Sequence, residues 1–188
     1  VVFSSDNGAT HRSGKGFVGG ADPEFFNSTG NLRGFKGSVY EGGIRVPTIV
    51  RLPSKVRAGT SMDQPGYFAD WYPTLCEATG ISKTGQTDGQ SLWPHLTGEP
   101  VGEARKPMVW AFPEYGGQVA VHLGRYKLVR TGLKTKQPGG WELYDLEKDP
   151  GETMNLASRE PEILARARAV LAKQVSDNPI FPVPIPSE

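Results

Sequence analysis

Several features that define common protein classes are missing from these 188 residues. There is a single cysteine, Cys76, so no disulfide can form within the chain. Cysteine content therefore does not indicate whether the protein works in an oxidising or a reducing compartment. The 21 Lys and Arg balance 20 Asp and Glu, and the net charge of +1 favours neither nucleic acid nor an acidic tail. No apolar run reaches the ~18 residues of a membrane span, and the chain opens without a signal peptide. We therefore expect no nucleic-acid partner and no membrane span.

The short motifs of several enzyme classes are absent as well. There is no P-loop, no HExxH motif, no CxxC pair and no Ser/His/Asp set. Cys76 lies in an apolar helical pattern, which favours a buried small hydrophobe over a catalytic thiol. His95 and His122 fall in helical and strand patterns and are interpreted as structural. The four tryptophans also fit apolar patterns and are interpreted as core, although Trp110 with Tyr115 leaves a sugar platform open.

Glycine and proline are plentiful, at 24 and 16 residues, which favours a loop-rich globular protein over a helical bundle. The opening run Val1–Ser4 is typical of a strand buried on both faces in the middle of a parallel sheet. We therefore expect the sequence to be the back part of something longer. On its own the chain would have exposed sheet edges, which predict either self-association or a rearrangement of the first ~50 residues. A long loop is predicted over residues 8–31 and a second strand over residues 46–52.

The middle of the chain predicts helix. Asp70 is expected to cap a helix over residues 71–79, which ends at Gly80. Its predicted apolar face comprises Phe68, Trp71, Tyr72, Leu75, and Ala78 or Thr79. One more helical turn is predicted over residues 91–96, and the break that follows it divides the chain into predicted parts 1–100 and 101–188.

After that break the pattern changes to short strands. These strands are expected to form one sheet. A helix that begins at Pro161 is predicted to cover one face of that sheet, and a Pro-rich extended tail follows the helix. The β-rich runs, which predict a small antiparallel sheet, are residues 108–112, 118–123, 126–130 and 141–146.

Candidate site residues lie near the start of the chain. Asp6 and Asn7 follow the first strand and offer hard oxygen donors that suit Ca²⁺ or Mg²⁺, although Asp-Asn-Gly is also an ordinary turn. Lys36 is flanked closely by glycines, a setting that suits either an anion-binding lysine or a solvated one. His11 could donate to an anion, act as a general acid, or be a plain surface residue. Arg45 is interpreted first as a structural partner of the glutamate four residues before it, and also kept as a substrate-binding candidate.

Taken together, these segments resemble one family, the type I (formylglycine-dependent) sulfatases. The resemblance is strongest to its bacterial arylsulfatase and N-acetylgalactosamine-6-sulfatase-like members. The segments that carry it are Ser-Ser-Asp-Asn-Gly at 4–8, Leu-Arg-Gly-Phe-Lys-Gly at 32–37, Tyr-Glu-Gly-Gly-Ile-Arg-Val-Pro at 40–47, Asp-Trp-Tyr-Pro-Thr-Leu at 70–75, Asp-Gly-Gln-Ser-Leu at 88–92 and Glu-Leu-Tyr-Asp-Leu at 142–146.

The resemblance implies an alkaline-phosphatase-like α/β fold, in which residues 1–100 belong to the catalytic domain and 101–188 form an antiparallel subdomain with a packing helix. It implies that Asp6 and Asn7 are calcium ligands and that Lys36 contacts the sulfate. The implied substrate is a sulfate ester, either a sulfated carbohydrate or an aryl sulfate. A periplasmic or secreted location is also implied.

One departure from the family pattern limits these implications. The formylglycine nucleophile is made within a Cys/Ser-x-Pro-x-Arg motif, which this chain lacks, and the early Asp-Asp pair of the metal site is missing too. We therefore expect the nucleophile and the remaining ligands in a missing N-terminal part, and no turnover by this chain alone. Two alternatives stay open: a non-catalytic domain that binds sulfated glycans, and part of a related phosphodiesterase or phosphonate hydrolase.

Overall fold

A computed structural model of the chain describes residues 1–10, 12–13, 16–17, 22–176 and 178–185, with only the backbone described at 12–13 and 16–17. Within that part of the chain, no helix is both long and apolar enough to cross a membrane. The regular elements are β1 (Val2–Phe3), β2 (Arg12–Ser13), β3 (Gly16–Phe17), α1 (Glu41–Ile44), β4 (Ile49–Val50), a 3₁₀ turn (Phe68–Asp70), α2 (Trp71–Thr79), α3 (Trp93–Thr97), β5 (Met108–Phe112), β6 (Gln118–Leu123), β7 (Tyr126–Thr131), β8 (Glu142–Asp145) and α4 (Pro161–Gln174).

Two compact units divide the chain. One joins residues 1–4 to 48–106, and the other joins residues 5–47 to 107–188. Residues 5–47 therefore belong to the same unit as the C-terminal strands. The predicted division after residue 100 instead placed them with residues 48–100. The assignment of 1–100 to a catalytic domain and of 101–188 to a subdomain stays a prediction.

The second unit is built on an antiparallel sheet in the order β5-β6-β7-β8. The hairpin turn between β6 and β7 is short, because Leu123 pairs with Tyr126. Both faces of β6 and β7 are covered, which explains why four successive residues of β6 are buried. One face packs against α4, through a cluster of Val119, Val121, Leu128, Leu143, Ala167 and Leu171. The other face buries Val39, Ala120, Val129 and Tyr144. The predicted four-stranded sheet and packing helix are confirmed.

The first unit departs from prediction at β1. The expected strand was to be buried in a parallel sheet, but β1 pairs antiparallel with β4, placing Val2 opposite Val50. Val1 is 82% exposed and Phe3 is 61% exposed. Two strands of two residues each form a ribbon too small to cover apolar side chains on either face, so the expectation of a buried strand is wrong within this unit. Self-association through this edge stays a prediction.

α2 spans the predicted residues and ends at Gly80, whose φ of +69° confirms the predicted C-terminal stop. The predicted cap is wrong, however, because the Asp70 side chain makes no cap hydrogen bond to α2. Asp70 is fully buried and accepts hydrogen bonds from the backbone N–H groups of Tyr67 and Gln90, at 2.9 and 2.7 Å. It also pairs with Arg105 at 2.8 Å. The Asp70 carboxylate therefore links the segments that carry Tyr67, Gln90 and Arg105, and it does not cap α2.

The predicted apolar face of α2 is also wrong. Leu75 is 53% exposed, whereas Thr74 is buried. The Thr74 hydroxyl donates to the Asp70 carbonyl at 2.6 Å and accepts from the Leu92 N–H at 2.8 Å. These polar contacts turn the opposite side of the helix inward, and Cys76, expected to be buried, is half-buried.

Candidate functional site

The segments that carry the predicted site residues lie against each other in the second unit. The Gly8 N–H donates to the Gly43 carbonyl at 2.9 Å, and the Lys36 N–H donates to the Ala9 carbonyl at 2.8 Å. The corner at Asp6 therefore lies next to the loop that carries Lys36. We call Asp6, Asn7 and Lys36 the half-site.

Glycines make this close approach possible. A Cβ atom on Gly8 would overlap the carbonyl oxygen of Gly42, and a Cβ atom on Gly42 would overlap that of Gly34. The Gly42 N–H also donates to the Arg33 carbonyl at 2.7 Å, so a hydrogen bond joins α1 to the segment that contains Arg33 and Gly34. A larger residue at either position would push the two segments of the half-site apart.

The donors at the Asp6 corner fit a hard cation in type but are few. Asp6 is exposed, and Asn7 uses its amide nitrogen to donate to the Gly8 carbonyl at 3.1 Å, which leaves its side-chain oxygen as the possible ligand atom. No group of three or more His, Cys, Asp or Glu side chains suited to a metal ion occurs among the described residues. Since calcium takes six to eight oxygens, Asp6 and Asn7 could supply only part of its coordination.

The other predicted site residues have different settings. Lys36 is exposed, and within the described part of the chain it makes no ion pair. Arg45 is exposed and lies 3.7 Å from Glu41, which confirms the predicted contact between the two. His11 lies outside the described residues. The structure therefore brings the Lys36 loop to the Asp6 corner and gives Arg45 a structural partner.

The loop after Lys36 is held from β6. The Gln118 amide donates to the Gly37 carbonyl at 2.8 Å, and its oxygen accepts from the Val39 N–H at 3.4 Å. Gln118 is 5% exposed and Val39 is 2% exposed, so the contact to Val39 is buried and the contact to Gly37 is partly buried. A single side chain of the sheet thus fixes two backbone groups just beyond Lys36.

A buried cluster of charges holds the start of α1. The ammonium of Lys127, which is 0% exposed, lies 2.7 Å from Glu41 and 2.9 Å from Glu152. Glu152 also accepts the Glu41 N–H at 2.7 Å, at the first residue of α1. Burial raises the pKa of Glu152, and the charge of Lys127 offsets that effect only in part. Two carboxylates thus share one buried ammonium beneath the glycines of α1.

Arg33, which precedes Lys36 in the loop, links that loop to β8. Its guanidinium lies 3.8 Å from the centroid of the Tyr40 ring and donates to the Tyr144 hydroxyl at 2.7 Å and to Glu142 at 3.2 Å. The Tyr40 hydroxyl donates to the same Glu142 oxygen at 2.7 Å, and the Tyr144 hydroxyl donates to it as well. Burial, together with these hydrogen bonds to Glu142, raises the pKa of both tyrosines, which keeps them protonated donors.

Sequence reasoning missed these supporting residues. Lys127 carries only a weak signal, since it stands between Tyr126 and Leu128 but shares its strand with a second charge, Arg130. Gln118 and Arg33 carry no comparable signal, because their partners are set by the packing of the loop on the sheet.

Comparison with known proteins gives a consistent picture. Residues 34–177 match the family described as "N-sulphoglucosamine sulphohydrolase, C-terminal". A protein named "Sulfatase" from Formosa agariphila is 33% identical over 86% of this chain and 29% of its own length. Human arylsulfatase A is 31% identical over 87% of this chain and 35% of its own length. The chain spans about a third of the length of these relatives.

Solved structures are similar as well. Ps i-CgsB, in complex with k-i-k-neocarrahexaose, matches 92% of this chain and 35% of its own, with a TM-score of 0.73 and 26% identity. The phosphonate monoester hydrolase of Agrobacterium radiobacter matches 73% of this chain and 31% of its own, with a TM-score of 0.57 and 26% identity.

Proposed function

The chain belongs to the sulfatase family and has its alkaline-phosphatase-like α/β fold, and from that premise we propose that it forms the C-terminal part of an enzyme that hydrolyses sulfate esters. One observation carries the proposal: two backbone hydrogen bonds, of 2.8 and 2.9 Å, hold the Lys36 loop and α1 against the Asp6 corner. A cationic side chain and hard oxygen donors therefore lie on adjoining segments, as an anionic ester bound beside a cation requires.

Each half-site residue has a distinct role in this proposal. The Lys36 ammonium binds the anionic sulfate group and stabilises negative charge on the leaving oxygen. Asp6 and Asn7 contribute two oxygen ligands to a calcium ion, whose other ligands would come from outside this chain. When present, the calcium ion would offset the charge of the ester, and a formylglycine outside this chain would supply the nucleophile. His11 and Arg45 remain secondary candidates, as a proton donor and a substrate contact.

A sulfated carbohydrate is the substrate class we favour. Ps i-CgsB, which is similar over 92% of this chain, was solved with a bound hexaose. The exposed position of Lys36 suits a substrate that is larger than its sulfate group. The 188-residue chain by itself is expected to show no turnover, because it lacks the Cys/Ser-x-Pro-x-Arg segment.

Mutation of Lys36 in the complete sulfatase that contains this chain tests the proposal. Lys36→Ala should lower kcat/KM for a sulfated saccharide by about 10²- to 10³-fold, the usual loss for one donor to a developing anion. The matched control is Lys148→Ala, since Lys148 is also an exposed lysine of the second unit. Equal activity of both variants and wild type would rule out the role given to Lys36.

A phosphonate or phosphodiester hydrolase is the second candidate, because the phosphonate monoester hydrolase shares the fold over 73% of this chain. The two functions separate when matched sulfate and phosphate esters of one alcohol are compared on the complete enzyme. A higher kcat/KM for the sulfate ester supports our first proposal, and a higher value for the phosphate ester supports the second.

A further inference from the structure

The turn between β5 and β6 presents an aromatic side chain to solvent. Tyr115 is 61% exposed, although it belongs to the same unit as a well-buried sheet. Its φ of +49° lies in the left-handed region, which bulky residues rarely adopt. Backbone strain of this kind persists where the surroundings hold the residue in place, and it is often found at functional sites.

The surroundings of this turn do hold it in place. The Lys134 N–H donates to the Gly116 carbonyl at 2.7 Å, and the Leu133 N–H donates to the Gly117 carbonyl at 3.0 Å. The turn also closes on itself, because the Gly117 N–H donates to the Glu114 carbonyl at 3.0 Å. The chain therefore fixes the backbone around an exposed aromatic residue that adds nothing to the hydrophobic core.

The Tyr115 ring lies beside the residue that follows Lys36. A Cβ atom added to Gly37 would lie 2.9 Å from both Cε2 and Cζ of the ring. The centroid of the same ring lies 5.9 Å from that of Phe112, at an interplanar angle of 30°. Gln118, at the start of β6, bonds the Gly37 carbonyl at 2.8 Å. The turn and the strand after it thus both contact the Lys36 loop, and they place the Tyr115 ring against the residue that follows Lys36.

We propose that Tyr115 is a specificity-determining residue, a platform for the sugar ring that carries the sulfate ester. This inference rests on the proposed function, since it takes Lys36 as the contact for the sulfate group. A pyranose presents an apolar C–H face together with polar edges, and an exposed tyrosine offers an apolar face and a polar tip that match it. A sulfate bound at Lys36 would bring its sugar ring within reach of Tyr115.

Steady-state kinetics of the complete sulfatase test this role with three probes: a sulfated disaccharide, 4-nitrophenyl sulfate, and inorganic sulfate as a competitive inhibitor. Tyr115→Ala should raise KM for the disaccharide about three- to tenfold, with little change in kcat, because an aromatic contact is lost. Tyr115→Phe should keep most of the affinity. The inhibition constant of inorganic sulfate should stay the same, because sulfate alone needs no platform. Phe181→Ala is the matched control, since Phe181 is also 61% exposed.

Each other outcome overturns the inference. An unchanged KM for the disaccharide in Tyr115→Ala excludes the platform. An equal weakening of inorganic sulfate would show that the ring merely supports the Lys36 loop, and a loss confined to 4-nitrophenyl sulfate would exclude a sugar. Failure of the proposed function is distinguishable, because Lys36→Ala would then leave all three probes unaffected.

Discussion

Replacement of Lys127 by methionine should strongly destabilise the second unit. Methionine keeps most of the length of the side chain but removes the ammonium that lies 2.7 Å from Glu41 and 2.9 Å from Glu152. Lys127 is 0% exposed and Glu152 is 1% exposed, so water cannot replace the lost charge. Removal of one partner from a buried ionic cluster costs about 3–5 kcal/mol.

Urea denaturation followed by tryptophan fluorescence measures this loss through Trp110 and Trp141 of the second unit, while Trp71 and Trp93 add the signal of the first unit. A loss of this size should also lower Tm by about 6–20 °C, since 1 kcal/mol corresponds to about 2–4 °C in a protein of this length. Lys148→Met is the control, because Lys148 is exposed, and its effect should stay within about 0.5 kcal/mol.

Two further results would show that charge is the cause. The double variant Lys127→Met/Glu152→Gln should recover part of the loss, because Glu41, which Arg45 also contacts at 3.7 Å, is then the one charged carboxylate left in the cluster. The cost of Lys127→Met should also shrink as the pH falls, because Glu152, whose pKa is raised by burial, then takes up a proton and no longer needs the ammonium. A cost below about 1 kcal/mol at pH 7, or no difference from Lys148→Met, would refute the reasoning.

The remaining predictions concern Glu152 and Gly42. Because the pKa of Glu152 is raised in the folded state, its contribution to stability is complete below its ordinary pKa of 4.5 and is lost as the pH rises through the higher folded value. Glu152→Gln should remove that part of the pH dependence in urea titrations, and an unchanged slope would contradict the assignment. Gly42→Ala should destabilise the second unit by about 1–3 kcal/mol, despite the better helix propensity of alanine, because its Cβ would overlap the Gly34 carbonyl. Gly140→Ala is the control, since a Cβ there meets nothing within 4 Å; equal unfolding free energies for the two variants would show that the Gly42 contact is not tight.

The sequence predicted most accurately those elements that depend on residues close together in the chain. The strand patterns at Met108–Phe112 and Gln118–Leu123 match the observed β5 and β6, and α4 begins at the predicted Pro161. The β-rich composition of strands and the three-to-four residue spacing in helices depend on near neighbours along the chain, so they can be recognised in a short window.

Burial was predicted less well, because it depends on residues far away in sequence. Glu41, the partner of Lys127, is 86 residues from it, and nothing in either local pattern pairs them. Val1–Ser4 has the composition of a buried strand, yet β1 pairs only with β4 among the described residues and stays exposed. Asp70 fits a helix cap by its position, but its carboxylate satisfies Gln90 and Arg105 instead.

In the candidate site, too, residue types could be interpreted from the sequence, whereas contacts between distant segments could not. The residue types at Asp6, Asn7 and Lys36 suggested a cation and an anionic ester, and family resemblance gave them roles. The contacts that bring their segments together are backbone bonds such as Lys36 to Ala9, which no residue type specifies. The positions of Gln118 and Tyr115 beside the loop could be learned only from the folded sheet.

A double-mutant cycle between Asp6 and Lys36 tests most directly whether the half-site binds one ligand. The inhibition constant of inorganic sulfate would be measured, with calcium present, for the complete sulfatase and for Asp6→Asn, Lys36→Met and the double variant. We predict that the two losses are not additive, with a coupling of about 1 kcal/mol or more, because Lys36 would contact the bound anion and Asp6 would act on the same anion through calcium. Losses that add within about 0.3 kcal/mol would show that Asp6 and Lys36 act independently and would contradict the half-site.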